Sequence, residues 1–292
     1  MKFANKNILA AVLLGASAFA ACSPESDKKS LGAIPAGSFT VTPVANDGNR
    51  FVVSNTTQGA FMSVWAASNG GASTLKTDTL TFGRKGAWDI NLTAYTQGGS
   101  TTAKQQVTVA ADIPPAQIVG FYDLTKSRVD TQWLSLKMGA VATTITYTPN
   151  GVNFSKPANA ASNGGIYRKV KINPKRDYYL QVFARGQLVK LAGDSAWFEA
   201  YIGKDLPLNN FNYTSNLVAG FNTNSACGLA AMNGNIVPAA CNGAAAGKAG
   251  LVTFSDAADY YIVIKAGSNS PANGLGAAGI TVDSVKLLEQ IR

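Results

Sequence analysis

The chain alternates apolar and polar residues at every second position, in short runs, along most of its length. Side chains of a strand point to opposite faces in turn, so this period makes sheets with one buried and one wet face. From position 36 to 109 the runs are "SFTVTPV", "RFVVSN", "FMSVWAAS", "DTLTF", "WDINLTAY" and "AKQQVTV", broken by Gly, Asn and Ser. No helical period interrupts them. From about 118 onward the pattern resumes in "TTITYTP", "DYYLQVFARG", "AWFEAYI", "DYYIVIKAG" and "GITVDSVKLLEQI". The expected fold class is all-β, a β-sandwich over 36–111 followed by a β-jelly-roll sandwich over 118–292. Between them "IPPAQ" carries two consecutive prolines, which restrict the preceding residues and cannot join a central ladder. Residues 112–117 are therefore expected to form a stiff linker.

The amino terminus has a different grammar. Lys2 and Lys6 precede an apolar run from Ile8 to Phe19, too short to span a bilayer, which then yields to small residues and Cys22. Residues 1–21 read as a signal peptide, and the polar "SPESDKKS" within 22–35 as a flexible tether. The sequence "FAAC" resembles the lipobox of bacterial lipoproteins, with Phe19 where Leu is more usual. The resemblance implies lipid on Cys22, and Ser23 after it implies an outer-membrane address. The alternative is ordinary secretory cleavage. Two cysteines remain, Cys227 and Cys241; in an exported chain such a leftover pair is expected to form one disulfide.

Composition narrows the chemistry. The chain contains no histidine, so histidine triads, His-ligated zinc and imidazole acid–base steps are unavailable. Loss of Lys2 and Lys6 leaves 23 basic residues against 16 acidic ones, a formal balance of +7. The charges are dispersed apart from "YRKVKINPKRDYY", which reads as a solvated face. Nucleic acid is not an expected partner.

Two strands have outward faces that are unusual for a wet surface. In "AWFEAYI" the residues Trp197, Glu199 and Tyr201 oppose the apolar Ala196, Phe198, Ala200 and Ile202. In "DYYLQVFARG" the residues Tyr179, Gln181, Phe183 and Arg185 oppose Tyr178, Leu180, Val182 and Ala184. If the two strands are neighbours, all seven outward residues share one platform of aromatic planes and fixed polar groups, which suits sugars. The alternative is a secondary core beneath a loop, with Glu199 paired to Arg185. A rival site is the loop "LPLNNFNYTSNLVAGFNTNSACG", with Phe211, Tyr213 and Phe221; these could instead cap the sandwich.

Resemblances extend these readings. "SVWAASNGG" followed by "DTLTFGRKGAWDINLTAYTQGG" resembles the PKD domain. Trp65 holds the tryptophan position, Asn69 and Gly70 the following turn, and Gly86, Trp88, Ile90 and Leu92 the later pattern. Ala66 stands where that family has Asp. The resemblance implies a spacer. "FYDLTKSRVDTQW", "IYRKVKINPKRDYYLQVFARG", "VTFSDAADYYIVIKAG" and "GITVDSVKLLE" together resemble carbohydrate-binding modules of the galactose-binding-like jelly-roll class. This implies polysaccharide or oligosaccharide as partner and a structural calcium near Asp283, with Asp123 as a second ligand; no other cofactor is expected. The whole order resembles surface glycan-binding lipoproteins of Bacteroidetes uptake systems, which work beside a TonB-dependent transporter. The expectation is a non-catalytic, lipid-anchored glycan binder at the cell surface. The alternatives are a carboxylate-dependent glycosidase or lyase, for which Glu199 has no evident partner, and a structural or adhesive surface protein.

Overall fold

The computed structural model describes residues 31–119, 133–148, 151–157, 159–190, 192–225 and 231–292. It is an all-β protein, and among the described residues four antiparallel sheets are arranged as two sandwiches. The first sandwich is built from β1 (Phe39–Val44), β2 (Asp47–Asn55), β3 (Met62–Ala67), β4 (Ala72–Ser73), β5 (Thr77–Thr81), β6 (Gly86–Thr96) and β7 (Gly99–Val109). One sheet has the order β1-β2-β5 and the other β4-β3-β6-β7. Alternation along β2, β3 and β6 sends Phe51, Val53, Trp65, Ile90, Leu92 and Ala94 into the space between them. Trp65 is fully buried, edge-on to Phe39, and donates its indole N–H to the Leu75 carbonyl at 2.7 Å. That bond satisfies a buried donor that would otherwise cost ~1–3 kcal/mol.

The second sandwich comprises β8 (Ala116–Val119), β9 (Leu134–Lys137), β10 (Thr144–Thr148), β11 (Gly151–Ser155), β12 (Ser162–Ile172), β13 (Arg176–Gly186), β14 (Ala196–Gly203), β15 (Leu217–Asn222), β16 (Met232–Asn235), β17 (Leu251–Val252), β18 (Ala258–Ser268) and β19 (Ile280–Ile291). One sheet runs β10-β11-β19-β13-β16, with β8 on β19 and β17 on β13; the facing sheet runs β15-β14-β18-β12-β9. The inward residues of β13 and β14 are those that alternation assigns, and all eight are buried. Phe154 of the first sheet meets Phe198 of the second edge-on at 6.2 Å, closing the core between the layers. β8 begins at Ala116, so the chain enters the second sandwich within two residues of Pro115.

Successive strands from β11 to β14 pass alternately between the two sheets, as in a jelly roll. This decides the fate of the proposed platform. β13 lies between β19 and β16, whereas β14 lies between β18 and β15. The connection after Gly186 is therefore a crossover and not a hairpin; Leu188 in it is drawn into the core, and the Val189 amide bonds to the Gly274 carbonyl.

The sandwiches meet at the end of β19. The Arg292 carbonyl accepts from the Gly83 amide and the Asn69 side chain, and buried Gln290 donates to the carbonyls of Gly83 and Ile113. Arg84 reaches Asp177 and the Tyr179 hydroxyl. The Asn69–Gly71 turn, where the PKD-like pattern places its signature, thus holds the neighbouring sandwich.

Candidate functional site

The outward face of the five-stranded sheet gathers the most suggestive chemistry. From β14 come Trp197, Glu199 and Tyr201, from β18 Asp259, Tyr261, Val263, Lys265 and Gly267, and from β12 Asn163, Tyr167, Lys169 and Lys171. Residues 204–216 fold across the middle of this face. The Asn210 amide bonds to the Lys137 carbonyl, and the Lys137 amide to Asn209 Oδ1, so the loop also closes the free edge of β9. Under it Tyr201 and Tyr213 meet edge-on at 5.6 Å, with Leu136, Met138 and Val263 around them.

This covered centre is built on a buried cation. Lys265 is 3% exposed. Its Nζ donates to Glu199 Oε2 at 2.8 Å, the Tyr201 hydroxyl at 3.1 Å, Asn212 Oδ1 at 3.2 Å and the Tyr213 carbonyl at 3.1 Å. Tyr201 in turn donates to Glu199 Oε2 at 2.7 Å. Burial pushes the Tyr201 phenol well above its ordinary range, and the Glu199 carboxylate adds to that. Burial also pushes Tyr213 up to about 12. Glu199 is thus committed to Lys265, not to Arg185, and Tyr201 has no open ring face to offer a ligand.

Two open recesses flank the centre on the same face. In the first, of about 370 Å³, Trp197 lies beside Asn163, Asn212 and Asn269, with Gly139–Val141 as a wall. A Cβ at Gly267 would stand 2.6 Å from the indole ring, so a residue with no side chain is what lets Trp197 lie against β18. Its N–H donates to Asn163 Oδ1 at 3.3 Å, and Asn163 Nδ2 donates to Asn212 Oδ1 at 2.9 Å. The second recess, of about 600 Å³, is lined by Tyr167, Tyr261, Leu134 and Leu206 with Lys169, Lys171 and Asp259. Lys169 and Asp259 pair at 2.6 Å. Alternation in "YRKVK" and "DYYIV" already puts Tyr167 and Tyr261 on an outward face.

The remaining expected residues are elsewhere. Tyr179, Gln181, Phe183 and Arg185 lie on the outer surface of the opposite sheet. The single seven-residue platform is corrected accordingly: alternate sheet membership puts the two sets on opposite sides of the sandwich. Tyr179 belongs to the junction with Arg84, Phe183 lies under the Lys286 ammonium at 5.1 Å, and Arg185 pairs with Asp283 at 3.0 Å. In the rival loop site, Phe221 faces the core from β15 and Tyr213 is buried beneath its own loop; Phe211 alone of the three is open, at 68%. They form no common surface. Asp283 faces a guanidinium, and burial raises its carboxyl against the opposing pull of Arg185. Among the described residues no group of three or more His, Cys, Asp or Glu could hold a metal ion. Cys22, Asp123 and Cys227 lie outside the described residues. Cys241 is half-buried.

No family model and no curated protein matches the chain. Solved structures do. The PKD1 domain of the Vibrio cholerae metalloprotease PrtV is 24% identical over 27% of this chain and 100% of its own, with a TM-score of 0.25. A β-sandwich carbohydrate-binding module studied for promiscuous specificity is 12% identical over 88% of this chain and 98% of its own, with a TM-score of 0.26. The tandem CBM22 domains of Paenibacillus barcinonensis Xyn10C are 9% identical over 86% and 91%, with a TM-score of 0.28. Likenesses at these scores carry no weight for ligand or role.

Proposed function

We propose that the protein is a non-catalytic glycan-binding protein, lipid-anchored at Cys22 on the cell surface, which captures polysaccharide beside an uptake transporter of the TonB-dependent kind. The observation that carries the binding part is the Trp197 recess. A flat indole held against a glycine, ringed by the amides of Asn163, Asn212 and Asn269, offers a stacking plane for sugar C–H groups and paired donors and acceptors for hydroxyls. Among the described residues the recess lining has no carboxylate, whereas hydrolysis needs two about 5–9 Å apart. In the second recess Asp259 is held by Lys169. Both facts support binding over turnover. Asn163 lines the first recess and Lys169 the second, about 20 Å apart along β12 at the usual strand rise, with residues 204–216 lying between them.

The anchored, surface-exposed and uptake-linked parts rest on Lys2, the apolar run to Phe19, and "FAAC", followed by a tether and two sandwiches in series. Affinity electrophoresis of the mature chain through gels of different polysaccharides tests the central claim. Retardation by at least one polysaccharide, lost in Trp197→Ala and without release of reducing sugar, is expected. Equal retardation of Trp197→Ala would remove the recess from the reading.

A further inference from the structure

Exposed apolar side chains of the first sandwich gather at the end that points away from the second. β6 starts at Gly86, beside Arg84 of the junction, and ends at Thr96, about 33 Å away on the usual strand rise. At that far end Phe61 is 69%, Leu31 78% and Ile34 56% exposed. They are neighbours in space. The Phe61 amide bonds to the Tyr95 carbonyl at 3.0 Å. Gly98 lies against the backbone of Gly32 and Ala33, Gly99 against the side chain of Ile34, and Phe61 shares a hollow of about 460 Å³ with Gly32, Ala33 and Pro35. A lone exposed apolar residue means little, but a cluster on one loop tip marks a contact surface.

The position of the cluster names its occupant. Leu31 follows Cys22 by nine positions, a reach of at most about 30 Å. A lipid on Cys22 holds this end of the molecule within about 30 Å of the bilayer. We infer that Phe61, Leu31 and Ile34 enter the headgroup–acyl boundary as a second attachment beside the lipid at Cys22, so that the first sandwich stands on the membrane rather than hanging from it. Stable anchoring commonly combines two such signals. The inference rests on the reading of Cys22 as the lipidated residue.

The test separates the two. The mature chain, residues 22–292, is coupled through Cys22 to a maleimide lipid in vesicles of phosphatidylethanolamine and phosphatidylglycerol with brominated acyl chains. This attachment does not depend on bacterial processing. In Phe61→Trp the added emission is expected to be quenched, while in Leu208→Trp, on the second sandwich, it is not. Adding Leu31→Ser and Ile34→Ser to Phe61→Trp should abolish the quenching, since each fully buried side chain of this size strengthens partition about tenfold or more. Emission of Phe61→Trp as bright as that of Leu208→Trp on coupled vesicles would overturn the inference. Palmitate labelling of the full chain and of Cys22→Ala in cells addresses the lipid reading alone: a parent chain without label would sink that reading while leaving the vesicle result intact.

Discussion

Replacing Lys265 by methionine tests whether the covered centre of the five-stranded sheet is a structural keystone. The substitution keeps the stem and removes the ammonium, leaving Glu199 as a largely buried carboxylate whose remaining partner is the Tyr201 hydroxyl at 2.7 Å. Removing one member of a buried ion pair costs about 3–5 kcal/mol. The Glu199 side chain keeps 16% exposure, which draws the charge term toward the low end. Against that, Asn212 Oδ1 and the Tyr213 carbonyl lose a donor, which adds a cost of about 1 kcal/mol or more where water does not replace it. A loss of about 3 kcal/mol is expected. Glu199→Gln, which keeps an acceptor for Tyr201 but leaves the more deeply buried Lys265 ammonium without its counter-ion, should also cost about 3 kcal/mol. The double variant should cost less than the sum of the two, because no uncompensated charge is left in it. Urea unfolding followed by tryptophan emission reads this, provided that transitions of the two sandwiches are fitted separately. A coupling below about 0.5 kcal/mol would refute the claim that the pair, and not packing alone, holds the loop.

Other consequences are open to direct measurement. Asn212→Ala should free both Asn163 and the loop, raising hydrogen exchange at the Asn210 and Tyr213 amides and weakening glycan retention about tenfold, the worth of one net hydrogen bond with its positioning; unchanged exchange would argue that the loop is held elsewhere. Burial raises the phenols of Tyr178 and Tyr213 to about 12, and that of Tyr201 higher still. Unfolded, they release their protons near the ordinary tyrosine value of about 10, so the unfolded state binds fewer protons above it and stability falls as pH rises from about 10 through 12. Urea midpoints across that range should drop, and the drop should shrink in Tyr178→Phe. Asn69→Ala removes donors from the Thr81 and Arg292 carbonyls and should broaden the intraparticle distance distribution in small-angle scattering, with little change in glycan affinity.

The sheets were legible because burial has period two and one face of each strand is unambiguous. Tyr178, Leu180, Val182 and Ala184 could face only inward, as could Phe198 and Ile202. Which strands neighbour each other was not legible, since alternation names a face but no partner, and the short separation of β13 and β14 in sequence does not make them neighbours. The covering of Tyr201 was hidden for a related reason. Its cover comes from residues 204–216, and the partner of Glu199 comes from β18, some 66 positions on; Lys265 in "VIKAG" carries no mark that it will be buried. Trp197 stayed open because Gly267, opposite it in register, makes room for the ring. Tyr167 and Tyr261 needed no structure at all, only the same alternation applied to two more strands.

The junction gives the binding face a fixed bearing. Asn69, Gly83, Arg84, Gln290 and Arg292 join the sandwiches by backbone carbonyls, a buried amide and a guanidinium, groups that are costly to separate once desolvated. Two beads on a flexible string would let the Trp197 recess sample all directions. A bonded junction confines it to those that the first sandwich permits. If the Phe61 end rests on lipid, the recess then stands off the membrane by at least the length of β6, at a set orientation. Anchored copies would present parallel sites to one long polysaccharide, and avidity would follow from that geometry without a tight individual site. The measurement that decides it is retention on long against short chains of the same glycan. Vesicle-coupled protein should favour the long chain far more than the free protein does, and Asn69→Ala should reduce that preference while leaving binding to the short chain unchanged.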